Sequence, residues 1–154
     1  MQLDPDFSEF IECCIGSDVR FLVVGGYAVA AYGHPRYTKD LDVWVMVDPE
    51  NAVSLVKALD QFGFGSLGLT PDDFSQPGTV IQLGYPPKRI DLLTSVDGVD
   101  FDSCYRHRAE LALEGIKAGV PFISLADLRR NKAASGRPQD LADLAALPVE
   151  PDDV

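Results

Sequence analysis

Two aspartates, Asp40 and Asp42, stand one residue apart at the mouth of the apolar run Asp40-Leu41-Asp42-Val43-Trp44-Val45. On a strand, residues two apart project to the same face, so both carboxylates point one way while Leu41 and Val43 point into apolar packing. Neither acid can turn to relieve the repulsion. Aspartate is depleted in strands and costly to bury unpaired, and the simplest compensation is a divalent cation. Upstream, Gly25-Gly26 lies between an apolar strand, Phe21 to Val24, and a short helix of small residues, Tyr27 to Tyr32. Glycine lets the backbone turn tightly and lets a ligand approach the amides. A helix start offers N–H groups and partial positive charge to an anion such as phosphate. A phosphate cradle beside metal-binding carboxylates is the equipment of phosphoryl or nucleotidyl transfer.

A third acid, Asp91, again sits inside an apolar strand, Arg89-Ile90-Asp91-Leu92-Leu93. With these three elements in order the chain resembles the minimal nucleotidyltransferases of the DNA polymerase beta superfamily, whose signature is a strand, Gly-Gly or Gly-Ser, Asp-apolar-Asp, and a later acid on another strand. It is most similar to the abortive-infection type found in toxin-antitoxin loci. That type also carries an Arg-x-Thr-x-Asp-apolar-Asp run, here Arg36 to Asp42, and a C-terminal Lys/Arg/Asp motif, here Lys132, Arg137 and Asp140 with Asp143 nearby. The resemblance extends from about Phe21 to Leu144.

The resemblance implies an α/β (α+β) nucleotidyltransferase fold, a small mixed sheet packed against helices with a C-terminal helical pair. It implies Asp40, Asp42 and Asp91 as ligands to two magnesium ions, with manganese as an alternative, and as catalytic residues together with Lys132. Gly25, Gly26, Arg36, Thr38, Lys132 and Arg137 would attend the nucleotide. The substrate would be a nucleoside triphosphate, and the acceptor a hydroxyl on a tRNA 3′ end or a protein. The chain would then be a toxin with a cognate antitoxin. Nucleotidyltransferases of small antibiotics share the same pattern, and the fold also serves as a non-catalytic antitoxin or regulator. A plain interaction domain would leave the glycine pair and Asp91 unexplained.

From the residues alone, Arg36 or Lys39 either holds a triphosphate, as the planar fork of arginine does well, or merely balances Asp40 and Asp42. Lys132 follows Leu125 and Leu128 on the side of a helix expected to face the protein, where a cation needs a partner. Either it serves the nucleotide, or Lys132 or Arg137 pairs with Asp140 and joins two helices.

At 154 residues the chain has the length of one domain, taken as residues 1–147 with an acidic, frayed tail at 148–154. Three cysteines, Cys13, Cys14 and Cys104, are an odd number with two adjacent, which speaks against a disulfide framework and for a reducing cytoplasm. No apolar run has the length to cross a bilayer. The formal net charge of −11 argues against coating nucleic acid by charge alone. Yet residues 86–137 carry nine bases against seven acids, whereas residues 1–85 carry four against twelve. The basic half either steers a polyanion locally or consists of solvated helix faces.

The elements that position these residues are legible in outline. Phe7, Phe10, Ile11, Cys14 and Ile15 fit a helical face over 4–16. Asp48-Pro49-Glu50 starts a helix that ends near Phe62-Gly63, and 63–78 reads as loop with a helical turn at Pro71 to Phe74. Thr79 to Leu83 and Arg89 to Thr94 form a hairpin by spacing. Pairing the latter beside the Asp40 strand would bring Asp91 to the same edge; otherwise Asp91 is an edge-strand acid facing water. A helix over 101–110 and short strands over 111–114 and 120–123 follow. A capping box, Ser124 to Asp127, opens a helix that stops at Gly136, and Pro138 opens the last one, to about Leu147.

Overall fold

The run Phe21–Val24 is buried at every position and forms β1, while Leu41–Val45 forms β2 with Leu41, Val43 and Val45 fully buried. The computed structural model describes residues 3–33, 40–85 and 88–149. Val80–Leu83 is β3, Ile90–Leu93 is β4, Ala109–Leu111 is β5 and Val120–Phe122 is β6. The six strands form one mixed sheet in the order β3-β4-β2-β1-β6-β5. β1 is antiparallel to β2 and parallel to β6, β2 is parallel to β4, and the expected hairpin joins β3 to β4. The architecture is thus a mixed α/β one, a six-stranded sheet with six α-helices among the described residues.

The helices form where the sequence supplies both a cap and an apolar stripe. α1, Pro5–Gly16, is opened by Asp4, whose carboxylate accepts from the Asp6 amide at 2.8 Å, and it buries Phe7, Phe10, Ile11 and Cys14. α3, Pro49–Phe62, is opened by Asp48 and closed by Gly63 in the left-handed conformation. The two helices pack on each other, with the Phe10 and Phe62 rings edge to face at 5.3 Å. Buried Asn51 of α3 ties this layer to the sheet. Its side chain accepts from Arg20 N at 2.7 Å and donates to Arg20 O and Met46 O, just outside the ends of β1 and β2.

α2 is Gly25–Ala31, so the glycine pair forms the first turn of the helix rather than a separate turn before it. α4, Phe101–Arg106, is shorter than expected: the chain leaves the helix at His107, and Ala109–Leu111 pairs with β6. The β-strand expected at 111–114 therefore lies two residues earlier, because edge pairing overrides helical periodicity there. The loop after α3 holds two 3₁₀ turns, Gly65–Leu67 and Pro71–Phe74. α5, Leu125–Ser135, starts at the Ser124 cap and ends at Gly136, and α6, Pro138–Ala146, follows it.

All three cysteines are free thiols. Among the described residues no helix is long and apolar enough to cross a membrane.

Candidate functional site

The parallel register of β2 and β4 pairs Leu41 with Ile90, Asp42 with Asp91 and Val43 with Leu92. Asp40 lies one residue before β2, but the Leu41 amide donates to Arg89 O at 3.0 Å, which carries the ladder out to Arg89 opposite Asp40. Two polar-apolar-polar tripeptides, Asp40-Leu41-Asp42 and Arg89-Ile90-Asp91, thus lie side by side. Leu41 and Ile90 go into the core. Their neighbours share the opposite face by strand alternation, giving three carboxylates and one guanidinium on adjoining strands.

Arg89 is unevenly shared. Its Nε donates to Asp91 Oδ1 at 2.8 Å and its Nη2 to Asp91 Oδ2 at 3.1 Å, a two-pronged contact, and Nη2 also lies 3.0 Å from Asp40 Oδ2. The guanidinium is held more firmly protonated by its hydrogen bonds to Asp91, with the charges of Asp40 and Asp42 adding to this. Among the described residues Asp42 makes no ion pair. Burial, then the charges of Asp91 and Asp40, push its carboxyl up to about 7, against the opposing fields of Lys132 and Arg89. One further atom is left over: Asp40 Oδ1 is buried with no hydrogen-bond partner among the described residues, a condition shared only with Trp44 Nε1.

Gly25 borders this face. Val24 pairs with Asp42 across β1 and β2, so the residue after Val24 comes alongside the carboxylate. Gly25 has φ +67°, and a Cβ there would collide with Asp42 Oδ2. The glycine is therefore required twice, by its backbone conformation and by the close approach of the acid. Gly26 is buried in the same turn.

The C-terminal helical pair is anchored to the segment that follows β4. Asn131 Nδ2 donates to Asp97 O at 2.9 Å, Ser135 Oγ bonds Asp97 Oδ2, and a Cβ on Gly98 would strike the Ala134 methyl. Within the pair, Lys132 Nζ lies 3.2 Å from both Asp140 Oδ1 and Asp143 Oδ2, and all three side chains are buried. Arg137 Nε donates to Asp140 Oδ2 at 2.7 Å, and Gln139 Nε2 to Asp143 Oδ1 at 3.0 Å. Burial would raise Asp140, but the hydrogen bonds from Arg137 and Lys132 outweigh it and hold the carboxyl below the usual range. The helix-joining ion pair is therefore present. Lys132 and Arg137 nevertheless stay within electrostatic reach of Asp42, and Arg137 leaves 77% of its side chain in solvent.

Of the residues singled out in the sequence, Asp40, Asp42, Asp91, Gly25 and Gly26 come together at one end of β1, β2 and β4, with the charges of Lys132 and Arg137 acting on them. Arg36 and Thr38 lie outside the described residues, as do His34 and Lys39. Arg89 is the residue that sequence reasoning passed over. Its signal was the spacing Arg-x-Asp, the same two-residue step as Asp-x-Asp, on the strand already expected beside it.

The donor chemistry suits magnesium or manganese: hard carboxylate oxygens, an orphaned buried oxygen and, among the described residues, two more acids than the one guanidinium on this face balances. As they stand, the described residues offer no group of three or more Asp, Glu, His or Cys side chains converged on a point that could hold an ion. The Arg89 guanidinium bridges Asp40 and Asp91. In comparisons with known proteins, no family model and no curated sequence matches the chain.

Proposed function

We propose that the chain is a metal-dependent nucleotidyltransferase with a nucleotidyltransferase fold, moving a nucleoside monophosphate from a nucleoside triphosphate to an acceptor hydroxyl. One observation carries the reading. Asp42 is set beside Asp91 in a fixed parallel register, against a glycine that admits it, and among the described residues it pairs with no cation. A fold does not hold two carboxylates at that separation for its own stability, since both lose hydration and repel each other. Groups perturbed by burial together with specific charged neighbours mark functional sites more often than chance.

Asp40, Asp42 and Asp91 are the residues that would hold magnesium, or manganese in its place. The bound ion would neutralise the triphosphate and lower the pKa of the acceptor hydroxyl. The ladder of β2 and β4 fixes the acids so that they need not move as charge develops, and Asp91 would orient the acceptor or take its proton. Half-buried Gly25 and buried Gly26 begin α2 beside Asp42, where their backbone amides would meet the phosphates. Arg137, exposed and within the field of Asp42, has Nε and Nη2 on Asp140, so it would meet phosphate oxygens at the rim with its remaining N–H groups. Arg36 and Thr38 would complete the nucleotide site from the loop. Lys132 acts through charge: locked between Asp140 and Asp143, it fixes the α5–α6 pair and biases Asp42 toward its ionised form. A tRNA 3′ end or a protein hydroxyl is the acceptor class proposed, with a cognate antitoxin as partner in a toxin-antitoxin pair.

The contact of Arg89 with Asp40 and Asp91 favours a second reading, a non-catalytic module whose site is closed by its own arginine. One assay separates the two. Purified protein is incubated with each of the labelled nucleoside triphosphates, Mg²⁺ and total tRNA. The proposal expects label on RNA or on protein, abolished by EDTA and by Asp42→Asn; label on neither, with any triphosphate, supports the closed module.

A further inference from the structure

The feature left unused by the proposed chemistry is Arg89 itself. Its place is not accidental packing. The residue sits on the ladder opposite Asp40 and two residues before Asp91, so the backbone register alone delivers its side chain to the gap between those carboxylates. There it makes two prongs to Asp91 and one contact to Asp40. About a quarter of its side chain remains in solvent, which gives the guanidinium a route outward that Lys132, sealed between Asp140 and Asp143, lacks. The orphaned Asp40 Oδ1 shows that the guanidinium does not saturate the acids it touches. Among the described residues, three carboxylates and one guanidinium on this face leave an excess of negative charge for a divalent cation to answer.

We propose that Arg89 is a resident cation that metal and triphosphate must displace together, so that neither loads well without the other. This rests on the nucleotidyltransferase reading above. A divalent ion alone must evict a two-pronged guanidinium from Asp91 and send it into water, which opposes binding. A triphosphate brings phosphate oxygens with the geometry that an arginine fork prefers, so the released side chain exchanges carboxylate for phosphate. Arg89 is then a positioning residue: before loading it keeps Asp40 and Asp91 in register, and after loading it holds the phosphates. Metal and nucleotide become thermodynamically coupled, and the coupling is reciprocal.

The test measures free Mn²⁺ by its electron paramagnetic resonance signal, titrated into the whole protein with and without a triphosphate carrying a methylene bridge between the α and β phosphorus atoms. The ion's binding to free nucleotide is measured in the same buffer and subtracted. In the wild type the nucleotide is expected to tighten Mn²⁺ binding by ~10-fold or more, within the usual range of allosteric coupling. In Arg89→Gln, Mn²⁺ alone should bind ~10-fold tighter than to the wild type, and the coupling should shrink to within ~2-fold. Arg89→Lys keeps a charge but not the fork, and should fall between. Should metal-free Arg89→Gln be too unstable to titrate, recovery of its thermal midpoint by Mn²⁺, beyond any rise in the wild type, supports displacement; without recovery, Arg89→Lys decides by the same two quantities. Wild-type Mn²⁺ affinity and coupling in a folded Arg89 variant would overturn the proposal while leaving the nucleotidyltransferase reading intact. Failure of both wild type and variants to bind either Mn²⁺ or the triphosphate would overturn that reading instead.

Discussion

Two clusters in this molecule are made from the same side chains and behave in opposite ways. Between α5 and α6, Asp140 and Asp143 meet Lys132 and Arg137, and each carboxylate has a cation or amide donor within about hydrogen-bond distance. At the end of β2 and β4, Asp40 and Asp91 share Arg89 while Asp42 pairs with no cation among the described residues; one oxygen is orphaned and one carboxyl is pushed up to about 7. The first cluster is balanced and holds two helices together. The second is unbalanced and held in place by backbone, since the ladder, not the charges, sets the separation of Asp42 from Asp91. Balance marks structure and imposed imbalance marks function: that is the distinction on which the assignment turns.

Removing a charge should therefore have opposite signs in the two places. Lys132→Met removes the one buried cation that Asp140 and Asp143 share and is expected to cost ~3–5 kcal/mol, the range for breaking a buried ion pair from one side, read as a fall in the urea midpoint. An equal stability for Lys132→Met and wild type would erase the contrast. Asp42→Asn, by comparison, should stabilise the metal-free protein while lowering nucleotide transfer by ~100-fold or more, the loss typical of one electrostatic element at a reacting centre.

The pH dependence sharpens the second case. The unfolded chain ionises Asp42 near the ordinary aspartate value of 3.8, while the folded chain keeps it protonated to about 7. Between those values the folded state binds more protons, so this group makes stability fall as pH rises, and its contribution levels off above about 7. In EDTA, Asp42→Asn should accordingly be more stable than wild type by on the order of 2 kcal/mol at pH 8, and little different near the acid end of that window. Asp140 slopes the other way: its lowered carboxyl contributes stability that is present above the ordinary aspartate range and lost as pH falls through its folded value. Urea unfolding of wild type and Asp42→Asn across the range isolates the Asp42 component; a difference that grows toward acid pH would contradict it.

Gly25→Ala tests whether the backbone serves the unbalanced cluster. The left-handed conformation alone costs ~1–2 kcal/mol for a residue with a Cβ, and the added methyl must push the Asp42 carboxyl aside. Transfer should fall further than stability does. Arg137→Ala, with most of its side chain in solvent, is the mildest change: Lys132 still neutralises Asp140, and stability should shift by less than ~1 kcal/mol, as for exposed pairs.

Much of this arrangement was legible before any coordinates. The apolar runs at Phe21 and Leu41 are β-branched or aromatic enough to demand strands, and alternation along Asp40-Leu41-Asp42 puts both acids on one face. The caps at Asp4, Asp48 and Ser124 opened helices where they were expected. What could not be read was pairing. Whether Asp91 met Asp42 or faced water depended on strand order and register between segments far apart in the chain, which local patterns do not encode. The same register delivers Arg89 to Asp40, so the residue that changes the chemistry most was hidden by the fact that decides it. The boundary of α4 was missed for a related reason. Residues 107–111 are polar enough to continue a helix, and only the presence of β6 draws Ala109–Leu111 into the sheet.

The most direct test is anomalous diffraction from crystals of the protein grown with Mn²⁺ and the methylene-bridged triphosphate. Manganese density is expected within coordinating distance of Asp42, shared with Asp40 and Asp91, with the Arg89 guanidinium turned onto phosphate. Arg89 still seated between Asp40 and Asp91, with no manganese peak beside Asp42, would contradict it.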